Sequence, residues 1–250
     1  FFCQCLNLTP ILAVLFSYVF NGVSFPVCGN LHGTSLRIHK EETDMLFDIL
    51  ALISVFIVII LLKRLINIFP SLMACTLRWK ESINLEASVK HSLDRDMLAA
   101  AMIIPFCLAV EKFGLYSPEF MENMSQSIHL LVSIGIFLSY CTIRMLVSKL
   151  TRAQKINPKT YKTAGRASFT FFIILTLVLL LMGGILDFID ADPALIKSAM
   201  LCVSAFIYAL FLLRKFQIFV SGCSFFTAFL YLCALEILPT GALVASAIVF

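Results

Sequence analysis

Apolar runs long enough to cross a lipid bilayer recur along almost the whole chain, and they constrain its fold more than any other feature. A helix rising 1.5 Å per residue needs about 20 mostly apolar residues to span about 30 Å of hydrocarbon. Residues 45–62, 97–115, 128–147, 169–186 and 196–213 each come close to that length, and 219–250 exceeds it. The alternating ten-residue strands of a membrane β-barrel do not occur. The expected architecture is an all-α integral membrane protein, a polytopic helical bundle of six strong transmembrane helices with a possible N-terminal seventh segment. Composition agrees, with 60% hydrophobic and 14% charged residues and a mean hydropathy of +0.98, whereas soluble proteins carry about a quarter charged residues.

Residues 1–44 form a separate unit. An apolar stretch at 6–23 carries Asn7, Thr9, Pro10, Ser17 and Asn21, and its short core at 11–20 suits a signal peptide or signal anchor somewhat better than a weak first crossing. A polar connector, 30–44, leads into the six-helix domain at 45–250.

Charge distribution predicts the orientation. Most of the 19 Lys and Arg fall in segments 63–96, 148–168 and 214–218 or just beside them, at alternate ends of consecutive spans. The positive-inside rule makes those three segments cytoplasmic loops and puts the C-terminus outside. The net charge of +4 is thereby largely a topology signal rather than a sign of nucleic-acid binding. In the first segment, hydrophobic residues at helical spacing, broken by Pro70, end near Trp79, the chain's single tryptophan. They predict a helix lying in the headgroup region, with Trp79 at the interface. Lys149, Arg152, Lys155, Lys159, Lys162 and Arg166 form an acid-free basic stretch that can meet anionic headgroups or an acidic partner.

Motifs for soluble chemistry are missing. There is no HExxH, GxSxG, Walker or Rossmann pattern, and His32, His39, His91 and His129 are scattered. Most of the nine cysteines sit in or beside apolar helices, where thiols act as small hydrophobes. Neither a catalytic residue nor a metal site is predicted, and no cofactor.

The sharpest functional clue is Glu236, a carboxylate within the last apolar run, followed by Pro239. An ionisable group in hydrocarbon costs at least a few kcal/mol, so it faces the protein interior and holds a partner or a proton. Pro239 cannot donate to the carbonyl four residues earlier, at Leu235, which predicts a helix break beside the carboxylate. Counted from Phe219, Glu236 falls past the midplane, in the outer half, which makes Lys197 and Lys112 its expected partners. Arg144, one turn in from the other end of the third span, reaches it only if the last helix tilts or sits low. Asp48, one turn inside the first span, suits the positive end of a helix dipole.

The run Tyr231-Leu232-Cys233-Ala234-Leu235-Glu236-Ile237-Leu238-Pro239 resembles the C-terminal signature of an uncharacterised bacterial inner-membrane family, known only as a domain of unknown function. The resemblance extends over about residues 45–250 and implies a multi-span protein of a Gram-negative envelope, with no activity attached. Two functions are then expected. The first is a non-enzymatic accessory or scaffold subunit of an inner-membrane complex for protein export or envelope biogenesis, in contact with lipid and with other membrane subunits. The second is a small-solute or ion transporter with Glu236 as its coupling site.

Overall fold

The computed structural model describes residues 36–78, 80–81, 85, 88–116, 118, 126–150, 158–189 and 192–249. Side chains are described within these ranges except at 36–47, 126–127, 150, 158–159 and 247–249. The N-terminal apolar stretch at 6–23, with Trp79, Arg152 and Lys155, lies outside them.

Among the described residues the elements are helical. They are α1 (Leu36–Leu77), α2 (Val89–Ala101), α3 (Ile103–Lys112), α4 (Gln126–Leu150), α5 (Pro158–Phe188), α6 (Pro193–Val220) and α7 (Phe225–Leu232), then a π-helical turn (Cys233–Ile237) and α8 (Leu238–Val249). Five stretches among the described residues are long and apolar enough to cross a membrane: Asp48–Leu77, Ile128–Lys149, Thr160–Phe188, Pro193–Val220 and Phe225–Ser246. The architecture is that of a helical membrane protein.

Three boundaries differ from expectation, each for a physical reason. The expected span at 97–115 is divided at Met102, where α2 gives way to α3. Pro105 has no amide to offer the Ala101 carbonyl, so the ladder is interrupted there. Neither piece alone has the length of a crossing helix, and the count of long helices is five rather than six.

The second difference concerns α1, which does not stop at Lys63 and Arg64 but continues through Pro70 to Leu77. Leu65, Ile68, Leu72 and Cys75 recur every three or four residues and are all buried, packed with Leu98 of α2 and Ile173 of α5. The stretch expected to lie separately in the headgroup region is therefore the packed continuation of α1.

Third, the segments expected as basic loops are mostly helix. Lys162 and Arg166 belong to α5, while Arg214 and Lys215 lie in the closing turns of α6. The residues 219–224, expected to open the last span, are the end of α6 and a turn.

Half of the apolar window of α5 is buried, against 28% or less for the other four long helices, which makes α5 the centre of the bundle. It packs along α6 and also touches α1, α2 and α3. Gly183 permits the close approach: a Cβ there would lie 2.6 Å from both Met200 Cε and the Phe113 ring. Asp192 starts α6 by accepting a hydrogen bond from the Ala194 amide (3.2 Å), with Pro193 at the first helical position.

The end of the bundle carrying the termini Leu77, Leu150 and Val220 is held by a polar network. Arg214 donates to the last carbonyls of α1, Thr76 (2.7 Å) and Leu77 (2.8 Å), groups with no partner in their own helix. Arg166 of α5 donates to Ser92 of α2 (2.7 Å) and lies 3.9 Å from Asp96. Arg95 pairs with Asp96 (2.7 Å), and Arg64 of α1 with Asp94 (3.3 Å).

Candidate functional site

Glu236 is 1% exposed and lies in the π-helical turn between α7 and α8. The turn exists because the Leu238 amide bonds back to the Cys233 carbonyl, five residues earlier, just before Pro239 removes the next donor. The helix therefore continues through Pro239 in a wider register and is not severed. Leu235 and Glu236 are both buried in that turn despite being adjacent in sequence, and Pro239 is buried one turn on. The Tyr208 hydroxyl of α6 donates to the Glu236 carbonyl (3.2 Å), so the backbone of the turn is tied to a neighbouring helix.

Two cations meet the carboxylate on one oxygen. Oε1 accepts from the Arg144 guanidinium of α4 at 2.6 Å and from the Lys215 ammonium of α6. Arg144 also donates to the Ser168 hydroxyl of α5. Lys215 is 3% exposed. It lies 5.5 Å from the Phe211 ring centre and 5.9 Å from that of Phe219, while Arg144 stands 5.8 Å from Phe211. Ring faces carry negative potential, so Phe211 offers some of the counter-field that a second carboxylate would supply. Beside this group the Tyr140 and Thr240 hydroxyls share a hydrogen bond of 3.0 Å.

The charges of this triad do not balance. Arg144 and Lys215 contribute two positive charges and Glu236 one negative. Asp94, Asp96, Glu111 and Asp187 pair elsewhere. Meanwhile Oε2 of Glu236 is buried with no hydrogen-bond partner. A buried acceptor left unmatched costs about 1–3 kcal/mol, so the site holds both an uncompensated charge and an unsatisfied acceptor.

Other candidates from the sequence fall in different places. Lys112 pairs with Asp187 at 3.0 Å, linking α3 to α5. Lys197 is exposed near the start of α6. Neither is a partner of Glu236. The last helix starts at Phe225, so Glu236 lies about 16 Å into it, near the middle of the apolar stretch Phe225–Ser246. Arg144 and Lys215 stand about 9 Å and 8 Å from the ends of α4 and α6.

Asp48 is half-buried within α1, some three turns beyond its start at Leu36, so the first-turn dipole placement does not apply. Lys149 and Lys162 are exposed, and Arg166 is half-buried against Ser92 and Asp96. Of Lys159 only the backbone is described. No cluster of three or more His, Cys, Asp or Glu with metal-binding geometry occurs among the described residues.

Lys215 is the member that the sequence conceals. Beside Arg214 it looks like half of a basic pair closing a span, which places it among the headgroups. The signal that reveals it is Tyr208, Phe211 and Lys215 at i, i+3 and i+7, one face of a helix that does not stop at Leu213. Comparison of the chain with the profiles of known families, with curated proteins and with solved structures gave no significant match.

Proposed function

We propose that the protein is a small-solute or ion transporter whose coupling site is Glu236 with Arg144 and Lys215. The observation that carries this reading is the imbalance of the triad. A contact serving only to pack helices needs one cation and one anion, because each further buried charge costs several kcal/mol before compensation. A second cation and an unmatched carboxylate oxygen are what a site that exchanges a charged species requires. The π turn supports the same reading, since such turns concentrate at functional positions.

The proposed setting is the bacterial inner membrane, crossed six times, with the end bearing Leu77, Leu150 and Val220 in the cytoplasm. The divided pair α2–α3 supplies the sixth crossing. It begins near the end of α1 and carries Glu111 to His129, at the start of α4, about 33 Å away along the helix direction.

A second reading keeps the chain as a non-enzymatic accessory subunit for export or envelope assembly, with other membrane subunits and lipid as partners. The joining of α4, α6 and the last helix on one oxygen favours it, since that arrangement also works as a packing lock. Glu236→Gln separates the two. A transporter loses uptake in proteoliposomes while keeping its elution profile; a scaffold keeps its co-purifying partners or sheds them without any change in ion flux.

A further inference from the structure

A polar stripe runs the length of α4. His129, Ser133, Tyr140, Arg144 and Ser148 are spaced by four, seven, four and four residues, which keeps them on one face of a helix. Each is bonded across to a group on another helix. The His129 Nδ1 and Glu111 share a hydrogen bond of 2.6 Å, and Ser133 donates to the same carboxylate at 3.5 Å. Tyr140 meets Thr240, Arg144 meets Glu236 and Ser168, and the Ser148 and Tyr161 hydroxyls lie 2.8 Å apart. The stripe thus reaches from the end holding Glu111 to the end holding Leu150, with the triad in its second half.

One interruption divides it. Between Ser133 and Tyr140 stands Phe137, whose ring centre lies 5.2 Å from that of Phe106 and 5.4 Å from that of Phe172; those two are 5.2 Å apart. Ser133 and Tyr140 are about 10 Å apart along the helix axis, too far for a direct proton hop. Three packed, half-buried rings stand between them, and an apolar constriction of this kind can gate conduction by dewetting.

The geometry points to a proton pathway along this face of α4, closed at Phe106, Phe137 and Phe172 and carried by Glu236 and Lys215. This deepens the transport reading above, on which it rests, by naming the proton as the coupled ion. Arg144 does not deprotonate, so the exchangeable proton of the triad belongs to the other two members.

A proton entering from the Glu111–His129 side, once Phe137 swings aside, bonds to Oε2 of Glu236, the oxygen with no present partner. The triad keeps its charge if a Lys215 N–H bond breaks and that proton is taken up, as hydronium, by water at the end of the bundle bearing Leu150 and Val220, about 8 Å beyond Lys215 along α6. The proton on Glu236 then passes to the Lys215 amine, and the starting state returns. One proton enters and one leaves, with no redox change. The titratable groups facing the triad are Tyr140 and Cys141 from α4 and Tyr208 from α6; those at the entry are Glu111 and His129, with Lys112 and Asp187 beside them.

The test uses the full chain in liposomes containing pyranine, with a potassium diffusion potential set by valinomycin. Opening the aromatic constriction with Phe137→Ala should raise potential-driven proton influx about tenfold, while Phe137→Leu, which keeps the site filled, should not. Adding Glu236→Gln or His129→Ala to Phe137→Ala should return the flux to that of empty vesicles, with sodium and chloride fluxes unchanged throughout. Equal proton flux in wild type and Phe137→Ala, or a rise in sodium and chloride along with protons, overturns the pathway. Flux that depends on Glu236 but ignores His129 and Phe137 also overturns it, leaving the Glu236 coupling site intact. Wild-type vesicles with no Glu236-dependent flux of protons, sodium or chloride overturn both.

Discussion

Two groups of buried or half-buried charge in the bundle are built on opposite terms. At the end bearing Leu77, Leu150 and Val220, cations and acids alternate near the surface. Arg64 and Asp94 are 45% and 20% exposed, and Arg95, itself buried, rests on an Asp96 that is 30% exposed. Water reaches every pair, so each charge keeps part of its hydration and the network can form or loosen cheaply. Deeper in, Arg144 and Lys215 share one oxygen of a carboxylate that is 1% exposed. The first group ties helix ends together. The second confines a charge that packing does not need, which is the reason to look there for function.

Substitutions separate the two regions, with the largest effect at Glu236. Glu236→Ala leaves two cations buried without a counter-charge and is expected to cost about 3–5 kcal/mol, read as a lower unfolding midpoint in detergent. Lys215→Met is expected to cost less, about 1–2 kcal/mol, since the Arg144–Glu236 pair survives as a neutral unit. The proposed coupling site predicts that uptake is nevertheless lost with it; a variant as unstable as Glu236→Ala would show that the second cation is structural after all.

At the network end, Arg214→Ala uncaps the Thr76 and Leu77 carbonyls. Both retain some access to water there, so about 1 kcal/mol is expected, with faster amide exchange confined to the last turn of α1. The smallest effect is that of Arg64→Ala, expected below about 1 kcal/mol and further reduced in high salt. If Arg64→Ala matched Glu236→Ala, the contrast between the two regions would fail.

Much of the architecture was legible because hydrocarbon imposes a simple rule on composition. Five of the expected spans overlap long helices, since a run such as Phe169–Leu186 has no other way to satisfy its backbone away from water. Boundaries were less legible. Lys63, Arg64, Arg214 and Lys215 look like span ends, yet α1 and α6 continue past them, because helix propagation costs little once apolar partners such as Leu72 and Ile218 are buried beyond. Pro105 divided one helix and Pro70 did not, a difference that depends on neighbours rather than on the residue.

By itself the sequence determined that the chain is helical and membrane-like, and that Glu236 must face inward, because a lone carboxylate in an apolar run has no favourable alternative. What it faces depends on how the helices pack. The partners come from Arg144, 92 residues earlier, and Lys215, 21 residues earlier, and their meeting depends on how α4 and α6 pack beside the last helix. Periodicity fixes which face of a helix is buried. It carries no information about which other helix that face will touch, and the charge of the site is set by that choice.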